Sequence, residues 1–147
     1  MKLLAKTLLL CLFFLSCKKD INPEEIKWLN GYWEIEKVVF ENGKDKLYSI
    51  NESYDYFEIN NKNLGFRKKV IPQLNGTFLV NDTYENIKIN RVENTFFIAY
   101  TTVYTKWNEE IIAISKDKLV LRNEEKNEYH YKKAQPITIL NDGKKIK

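Results

Sequence analysis

The chain has 147 residues, of which 44% are hydrophobic and 30% are charged, and its formal net charge is +4. This length supports one domain with a buried core, and the composition excludes a disordered or collagen-like chain. One histidine and two cysteines are too few for a multi-ligand zinc or haem site, so we predict neither a metal nor a cofactor.

Residues 1–16 predict an export signal that is absent from the mature protein. Lys2 and Lys6 precede an apolar run from Leu8 to Leu15, and the small residue Ser16 follows the run. A charged start, a short apolar stretch and a small residue before the cleavage site are typical of a secretory signal. The run is much shorter than the roughly 20 residues that a transmembrane helix requires.

Cys17 makes this prediction more specific. The segment Phe14-Leu15-Ser16-Cys17 resembles the lipobox of bacterial lipoproteins, in the looser form of Bacteroidota. The resemblance implies that Cys17 becomes the first mature residue and carries acyl chains such as palmitate. More than one acyl chain gives stable membrane attachment, whereas a single chain gives only reversible attachment. Ordinary cleavage, which would leave Cys17 as a free thiol, is the alternative.

The expected location is therefore the cell envelope, with the membrane as a partner through lipidated Cys17. Proteobacterial lipoproteins that stay in the inner membrane have Asp after the lipidated cysteine, whereas this chain has Lys18. This difference favours the outer membrane.

The mature chain divides into three predicted segments, which are a lipidated tether over 17–23, a folded domain over 24–135 and a C-terminal tail over 136–147. The domain begins with a short helical turn, for which Asn22 is the expected N-cap and Pro23 the expected first residue. The turn is too short to be stable alone, so we expect it to dock on the rest of the domain.

Beyond Asn30 the apolar residues recur with a period of two, which predicts strands. The predicted strands cover residues 33–39, 47–50, 54–59, 64–71, 77–80, 84–92, 95–105, 111–115, 119–122 and 128–133. Asn42-Gly43 predicts a type I′ hairpin turn. No helical segment is long enough for the crossovers that parallel strands need, so the sheet is predicted to be antiparallel.

The predicted fold class is all-β. A meander of about eight to ten strands avoids exposed edges by closing into an up-and-down barrel. A two-sheet sandwich is the alternative.

A short motif at the start of the first strand connects the chain with a known family. Asn30-Gly31-Tyr32-Trp33 contains the Gly-x-Trp that begins lipocalins, and the stretch from Leu29 to Lys133 resembles the small lipocalin-like lipoproteins of Bacteroidota. The resemblance implies that Trp33 closes one end of the barrel and that Gly31 allows close backbone approach. It also implies that a basic residue of the last strand covers the Trp ring, and Arg122 is the best match.

The sequence carries no motif of an enzyme active site. It has neither a glycine-rich phosphate loop nor a Gly-x-Ser-x-Gly elbow, and its one imidazole, His130, lies in a predicted strand. Glu109 and Glu110 are predicted to be solvated turn charges. We therefore predict no catalytic residues and no enzyme activity. The nearly balanced charge also gives no support for nucleic-acid binding.

Aromatic residues offer the strongest indication of a binding site. Tyr84, Phe96, Tyr100 and Tyr104 are predicted to share a face of two neighbouring strands, and Trp107 follows in a polar turn. We predict a ligand path from Trp107 at the barrel rim, past Tyr104 and Tyr100, to Phe96. The alternative is that the aromatic face is only core.

The predicted function is that of a lipid-anchored, lipocalin-like envelope protein that binds a small apolar or amphipathic ligand in its barrel. The alternative function is an interaction module, with a filled barrel, no small-molecule ligand and another envelope protein as its partner.

Overall fold

The computed structural model describes residues 20–135. The predicted signal, Cys17 and the predicted tail over 136–147 lie outside the described residues. Within the described part of the chain, no helix is long and apolar enough to cross a membrane.

The predicted helical turn is a 3₁₀ helix at Pro23–Leu29. Asn22 caps it, because its side chain accepts the backbone N–H of Glu24 at 3.0 Å. The Glu25 carboxylate in turn accepts the backbone N–H of Asn22 at 3.0 Å, which completes a capping box. The prediction of a short helix with Asn22 as its N-cap is confirmed.

Between the helix and residue 135, the structure describes ten strands. They are β1 (Gly31–Val39), β2 (Asp45–Leu47), β3 (Tyr54–Ile59), β4 (Leu64–Pro72), β5 (Phe78–Val80), β6 (Glu85–Val92), β7 (Thr95–Thr101), β8 (Lys106–Ile114), β9 (Lys118–Asn123) and β10 (Glu128–Lys133). Eight of them form a closed antiparallel barrel in the order β1-β3-β4-β6-β7-β8-β9-β10, which closes where β10 pairs with β1. The predicted antiparallel barrel is confirmed, and the sandwich is excluded because one continuous sheet closes on itself.

The two additional strands pair with the ends of barrel strands. In β1, Gly31–Trp33 pairs with β3, whereas Lys37–Val39 pairs with β2. In β4, Leu64–Arg67 pairs with β6, whereas Val70–Pro72 pairs with β5. Both barrel strands thus change partners along their length.

The longest predicted strand, over 95–105, extends too far at its C-terminal end. β7 stops at Thr101, and a hairpin turn brings the N–H of Thr102 within 2.9 Å of the Thr105 carbonyl. The Thr102 hydroxyl accepts the N–H groups of Tyr104 and Thr105 at 3.2 and 3.1 Å, which holds the turn. Trp107 therefore belongs to β8 and not to a polar turn.

The turn at Asn42-Gly43 also differs from its prediction. A type I′ turn needs positive φ at both central residues, but only Gly43 has it, with φ of +80°. The Gly43 N–H donates to the Phe40 carbonyl at 2.9 Å, and the Asn42 side chain accepts the N–H of Lys44 at 3.0 Å. These bonds fit a type I turn followed by a left-handed glycine.

An apolar core fills the barrel on the side of the helix, which we call the closed end. Its buried aliphatic and aromatic members include Ile26, Leu29, Trp33, Phe57, Ile87, Ile89, Phe96, Ile98, Ile111, Ile114, Leu119 and Leu121. The helix contributes Ile26 and Leu29 and so covers the closed end. The opposite end, beside the Thr102–Thr105 hairpin, is called the open end. The closed sheet, its apolar core and the helix that covers it all lie within the described residues 20–135.

Candidate functional site

Trp33 lies at the centre of the closed end. Its side chain is 0% exposed, and its indole Nε1–H donates to the Leu29 carbonyl at 2.7 Å. The Lys133 ammonium lies 4.2 Å from the centroid of the Trp33 ring. Lys133 Nζ also donates to the carbonyls of Trp28, at 2.9 Å, and of Asn30. Trp33 and Lys133 thus tie the barrel to its helix.

The assignment of the covering basic residue to Arg122 is corrected, because Lys133 occupies that place. Leu119 and Leu121 of β9 point into the core, so the alternation directs Arg122 outwards. There its guanidinium lies 2.7 Å from the Glu110 carboxylate. Within the described residues the last strand is β10, which ends at Lys133.

Gly31 makes room for Lys133. It has a φ of +113°, and a Cβ at this position would lie 3.1 Å from the Lys133 side chain. Both the backbone conformation and the close approach therefore favour glycine here.

Replacing Lys133 by methionine is expected to lower the free energy of unfolding by about 1–3 kcal/mol, because the carbonyls that it binds lose their donor. The change Arg122→Met is the matched control and should cost less than about 1 kcal/mol, since it removes only outer-wall ion pairs. Urea denaturation midpoints measure both changes. Equal losses would contradict the role given to Lys133.

The barrel interior near the open end is lined by charged side chains. Arg67 of β4 reaches two carboxylates, with Nε 3.0 Å from Glu85 Oε2 and Nη1 3.9 Å from Glu109 Oε2. Asp55 of β3 lies beside Lys69 of β4, with Oδ1 2.7 Å from Lys69 Nζ. Alternation on these strands directs all five side chains inwards. The prediction that Glu109 is a solvated turn charge is wrong, because Glu109 is buried in β8.

Tyr100 and Trp107 form a stacked pair in this polar part of the interior. Their ring centroids are 4.8 Å apart with an interplanar angle of 6°, and the Arg67 guanidinium lies 4.5 Å from the Tyr100 centroid. The Tyr100 hydroxyl faces the Glu109 carboxylate, and the two side chains interact inside the barrel. Burial and the nearby Glu109 charge raise the pKa of Tyr100 well above its usual value, and burial also raises the pKa of Glu109.

The structure brings together only part of the predicted ligand path. Tyr100 and Trp107 touch directly, but Tyr104 is 94% exposed at the hairpin and does not lie between them. Phe96 is buried in the apolar core and pairs across the sheet with Ile111. The predicted path is therefore corrected: the hairpin at Thr102 ends the strand face on which it depended.

A cleft of about 390 Å³ opens above the charged interior, and we call it the mouth cleft. Its walls are the loop that leads into β6, the hairpin between β7 and β8, and Lys69; they include Asp82, Tyr84, Glu85 and Tyr104. A second cleft of about 300 Å³, beside Asp55 and the loop before β3, lies on the other side of Lys69. No buried residue of the apolar core lines the mouth cleft, whereas Ile35, which packs against that core, lines the second cleft.

The described residues show no metal site and no histidine in the interior. No group of three or more His, Cys, Asp or Glu side chains within residues 20–135 is arranged to hold a metal ion. His130 alternates outwards on β10, where its Nε2 lies 3.3 Å from Glu128 Oε2.

Comparisons with known proteins agree with this architecture. A family model described as the lipocalin-like domain matches residues 29–121. A lipocalin-like protein from Bacteroides uniformis has a similar solved structure, with 12% identity, a TM-score of 0.47 and coverage of 73% of this chain and 99% of that chain. The solved structure of an uncharacterized protein from Bacteroides eggerthii is also similar, with 11% identity and a TM-score of 0.46. The match covers 72% of this chain and 99% of that chain. A search of curated proteins finds no match. Because the family model covers more than half of the sequence, the chain belongs to the lipocalin-like domain family.

Proposed function

We propose that this lipocalin-like protein binds a small amphipathic molecule at the open end of its barrel. The observation that carries the proposal is the mouth cleft, which joins exposed aromatic and apolar side chains to a charged interior. A ligand of this kind has an apolar part for the cleft walls and a polar part for the interior. The closed half of the barrel is filled, since Trp33, Ile98 and Leu121 are all fully buried. The proposed ligand therefore lies at the mouth and not deep in the barrel.

The proposed activity is binding and not catalysis. His130, the one histidine of the chain, lies on the outer wall and far from a position where it would assist chemistry in the interior. The interior carboxylates are held by Arg67 and Lys69. These contacts support a rigid binding site.

The binding proposal is tested by titrating residues 18–147 with amphipathic probes such as short fatty acids and alkylammonium ions. Trp107 is the tryptophan near the open end, whereas Trp28 and Trp33 lie at the closed end. We expect a saturable change in tryptophan fluorescence that is lost in Trp107→Phe, while calorimetry still detects binding to that variant. Failure of every probe to bind would contradict the proposal.

The second part of the proposal is that the protein is a lipoprotein of the outer membrane, anchored through Cys17. It rests on the apolar run, on the lipobox-like segment before Cys17 and on Lys18 after it. Cells fed a clickable palmitate analogue should label the wild-type chain and the Cys11→Ser variant. The Cys17→Ser variant should remain unlabelled, because it lacks the thiol to which the acyl group is attached. Labelling of Cys17→Ser would contradict the anchor.

A second candidate function, an envelope interaction module, is favoured by a row of rings on the outer wall. Tyr32 stacks on Phe78 at 4.0 Å and contacts Tyr56 at 4.7 Å. Phe66 continues the row, 6.1 Å from Tyr56 and 6.3 Å from Tyr84. Half-exposed aromatic groups of this kind are common at protein interfaces. If no small molecule binds at the mouth, this candidate replaces the first.

A further inference from the structure

The walls of the mouth cleft combine aromatic rings with carboxylates. Tyr84 and Tyr104 are both exposed, and Val103 adds apolar surface between the turn residues of the hairpin. Asp82 and Glu85 supply the carboxylates. The faces of aromatic rings carry partial negative charge, so rings and carboxylates both attract cationic ligand groups.

The positive charges around the cleft already have partners. Lys69 is the basic residue among the described cleft walls, and its ammonium lies 2.7 Å from the Asp55 carboxylate. Arg67, below the cleft, is bound by Glu85 at 3.0 Å. Asp82, in contrast, has no ion pair within the described residues. Among the described residues that line the cleft, an anionic ligand would therefore meet a free carboxylate and no free cation.

The buried groups below the cleft point to the same ligand class. Tyr100 is 1% exposed, and its hydroxyl faces the Glu109 carboxylate, which also lies 3.9 Å from Arg67. Tyr100 lies next to Thr101, which pairs across the sheet with Asn86 of the cleft wall. The Tyr100 hydroxyl can both donate and accept, and the Glu109 carboxylate brings negative charge below the cleft when it is ionised.

The charges of the interior strengthen this preference. Three carboxylates, those of Asp55, Glu85 and Glu109, surround the two cations Arg67 and Lys69. With all five groups ionised, one negative charge is left in excess.

From these observations we infer that the mouth cleft binds a cationic amphiphile, a molecule with a positively charged nitrogen on a short apolar tail. The inference rests on the proposed function and names its ligand class. The nitrogen lies between Asp82, Glu85 and the Tyr104 ring, and the tail lies along Val103. Attraction by carboxylates and aromatic faces is the recognition chemistry.

The experiment compares three probes that differ only in their head group: hexyltrimethylammonium, hexanol and hexanoate. Each is titrated calorimetrically into residues 18–147. We expect hexyltrimethylammonium to bind at least about tenfold more tightly than the other two, and its affinity to fall with added salt.

Two variants locate the site, and each has a matched control. Asp82→Asn and Tyr104→Ala should each weaken hexyltrimethylammonium binding by about fivefold, the size expected for exposed ion pairs and cation–π contacts. Glu124→Gln changes a carboxylate outside the mouth cleft and should bind as the wild type does. Tyr104→Phe keeps the ring and should also retain binding. Asp82 and Tyr104 make no contact with the core, so these variants should fold normally.

The outcomes separate this inference from the proposed function. Equal binding of all three probes, or tighter binding of hexanoate, would overturn the cationic ligand class and leave the proposed function intact. Cation binding that is unchanged in both Asp82→Asn and Tyr104→Ala would overturn the location. Failure of all three probes together with every other amphiphile would overturn both proposals.

Discussion

Replacing Trp33 by alanine is expected to lower the free energy of unfolding by about 3–5 kcal/mol. The substitution removes a fully buried ring, leaves the Leu29 carbonyl without its donor and deprives Lys133 of its aromatic partner. Typical domains are stable by about 5–15 kcal/mol, so the variant should retain only part of its stability. Urea denaturation followed by circular dichroism measures the loss.

Two further variants separate the contributions of Trp33. Trp33→Phe keeps most of the apolar volume but not the N–H donor, and it should lie between wild type and Trp33→Ala. Trp107→Ala is the control for loss of a tryptophan, and it should cost less because Trp107 is only half-buried. If Trp33→Ala and Trp107→Ala had the same small effect, the closing role of Trp33 would be wrong.

Replacing Arg67 by methionine should have an effect of similar size, about 3–5 kcal/mol at neutral pH. The side chain of Arg67 is 13% exposed, and its removal leaves the carboxylates of Glu85 and Glu109 without their cation inside the barrel. The control Arg91→Met should cost less than about 1 kcal/mol, because Arg91 lies exposed beside the turn after β6. Chemical denaturation of both variants tests the difference.

The loss caused by Arg67→Met should depend on pH. Burial raises the pKa of Glu109, so the native state holds this proton more tightly than the unfolded state does. A raised carboxyl pKa favours folding at low pH, and this contribution is lost as the pH rises through the raised value. Without Arg67 the pKa of Glu109 rises further. The deficit should therefore shrink as the pH is lowered from neutral through the raised pKa of Glu109.

The double variant Arg67→Met/Glu109→Gln tests the cause of this pH dependence. It removes one charge of each sign, so it should be more stable at neutral pH than Arg67→Met alone. Its stability should also vary less with pH. A double variant as unstable as Arg67→Met would mean that the unpaired Glu109 carboxylate does not produce the loss.

The fold could be predicted because its determinants are local in the sequence. Alternating apolar residues identified most strands, and Asn22 followed by Pro23 marked the helix. Strand ends were less predictable, because side-chain bonds inside a turn decide them. The composition around Thr102 predicts a continuous strand, but the Thr102 hydroxyl holds a turn there by accepting two backbone N–H groups, and β7 ends.

The charged interior could not be predicted from local patterns. The large aromatic residue of β4 is Phe66, and a large apolar side chain would be expected to point inwards. Phe66 instead packs on the outer wall against Tyr56 and Tyr84. This leaves Arg67 inside. Only the pairing of β4 with β3 and β6 settles which face is inner, and pairing between distant segments is not visible in one sequence. The covering residue of Trp33 was assigned to Arg122 and not to Lys133 for the same reason, since the assignment depends on which strand closes against β1.

The change of partner along β4 affects the size of ligand that the protein can admit. Pairing between β4 and β6 ends at Arg67 and Glu85, and β5 takes the place of β6 beside β4 from Val70 onwards. The opposite edge of β4 stays paired with β3 as far as Val70, so the barrel wall is continuous there. The mouth cleft lies along the gap between the two pairings, because Lys69 and Glu85 are on its two edges. The entrance is therefore bordered by side chains and by the loop that leads into β6, whereas the circumference of the barrel is fixed by paired strands.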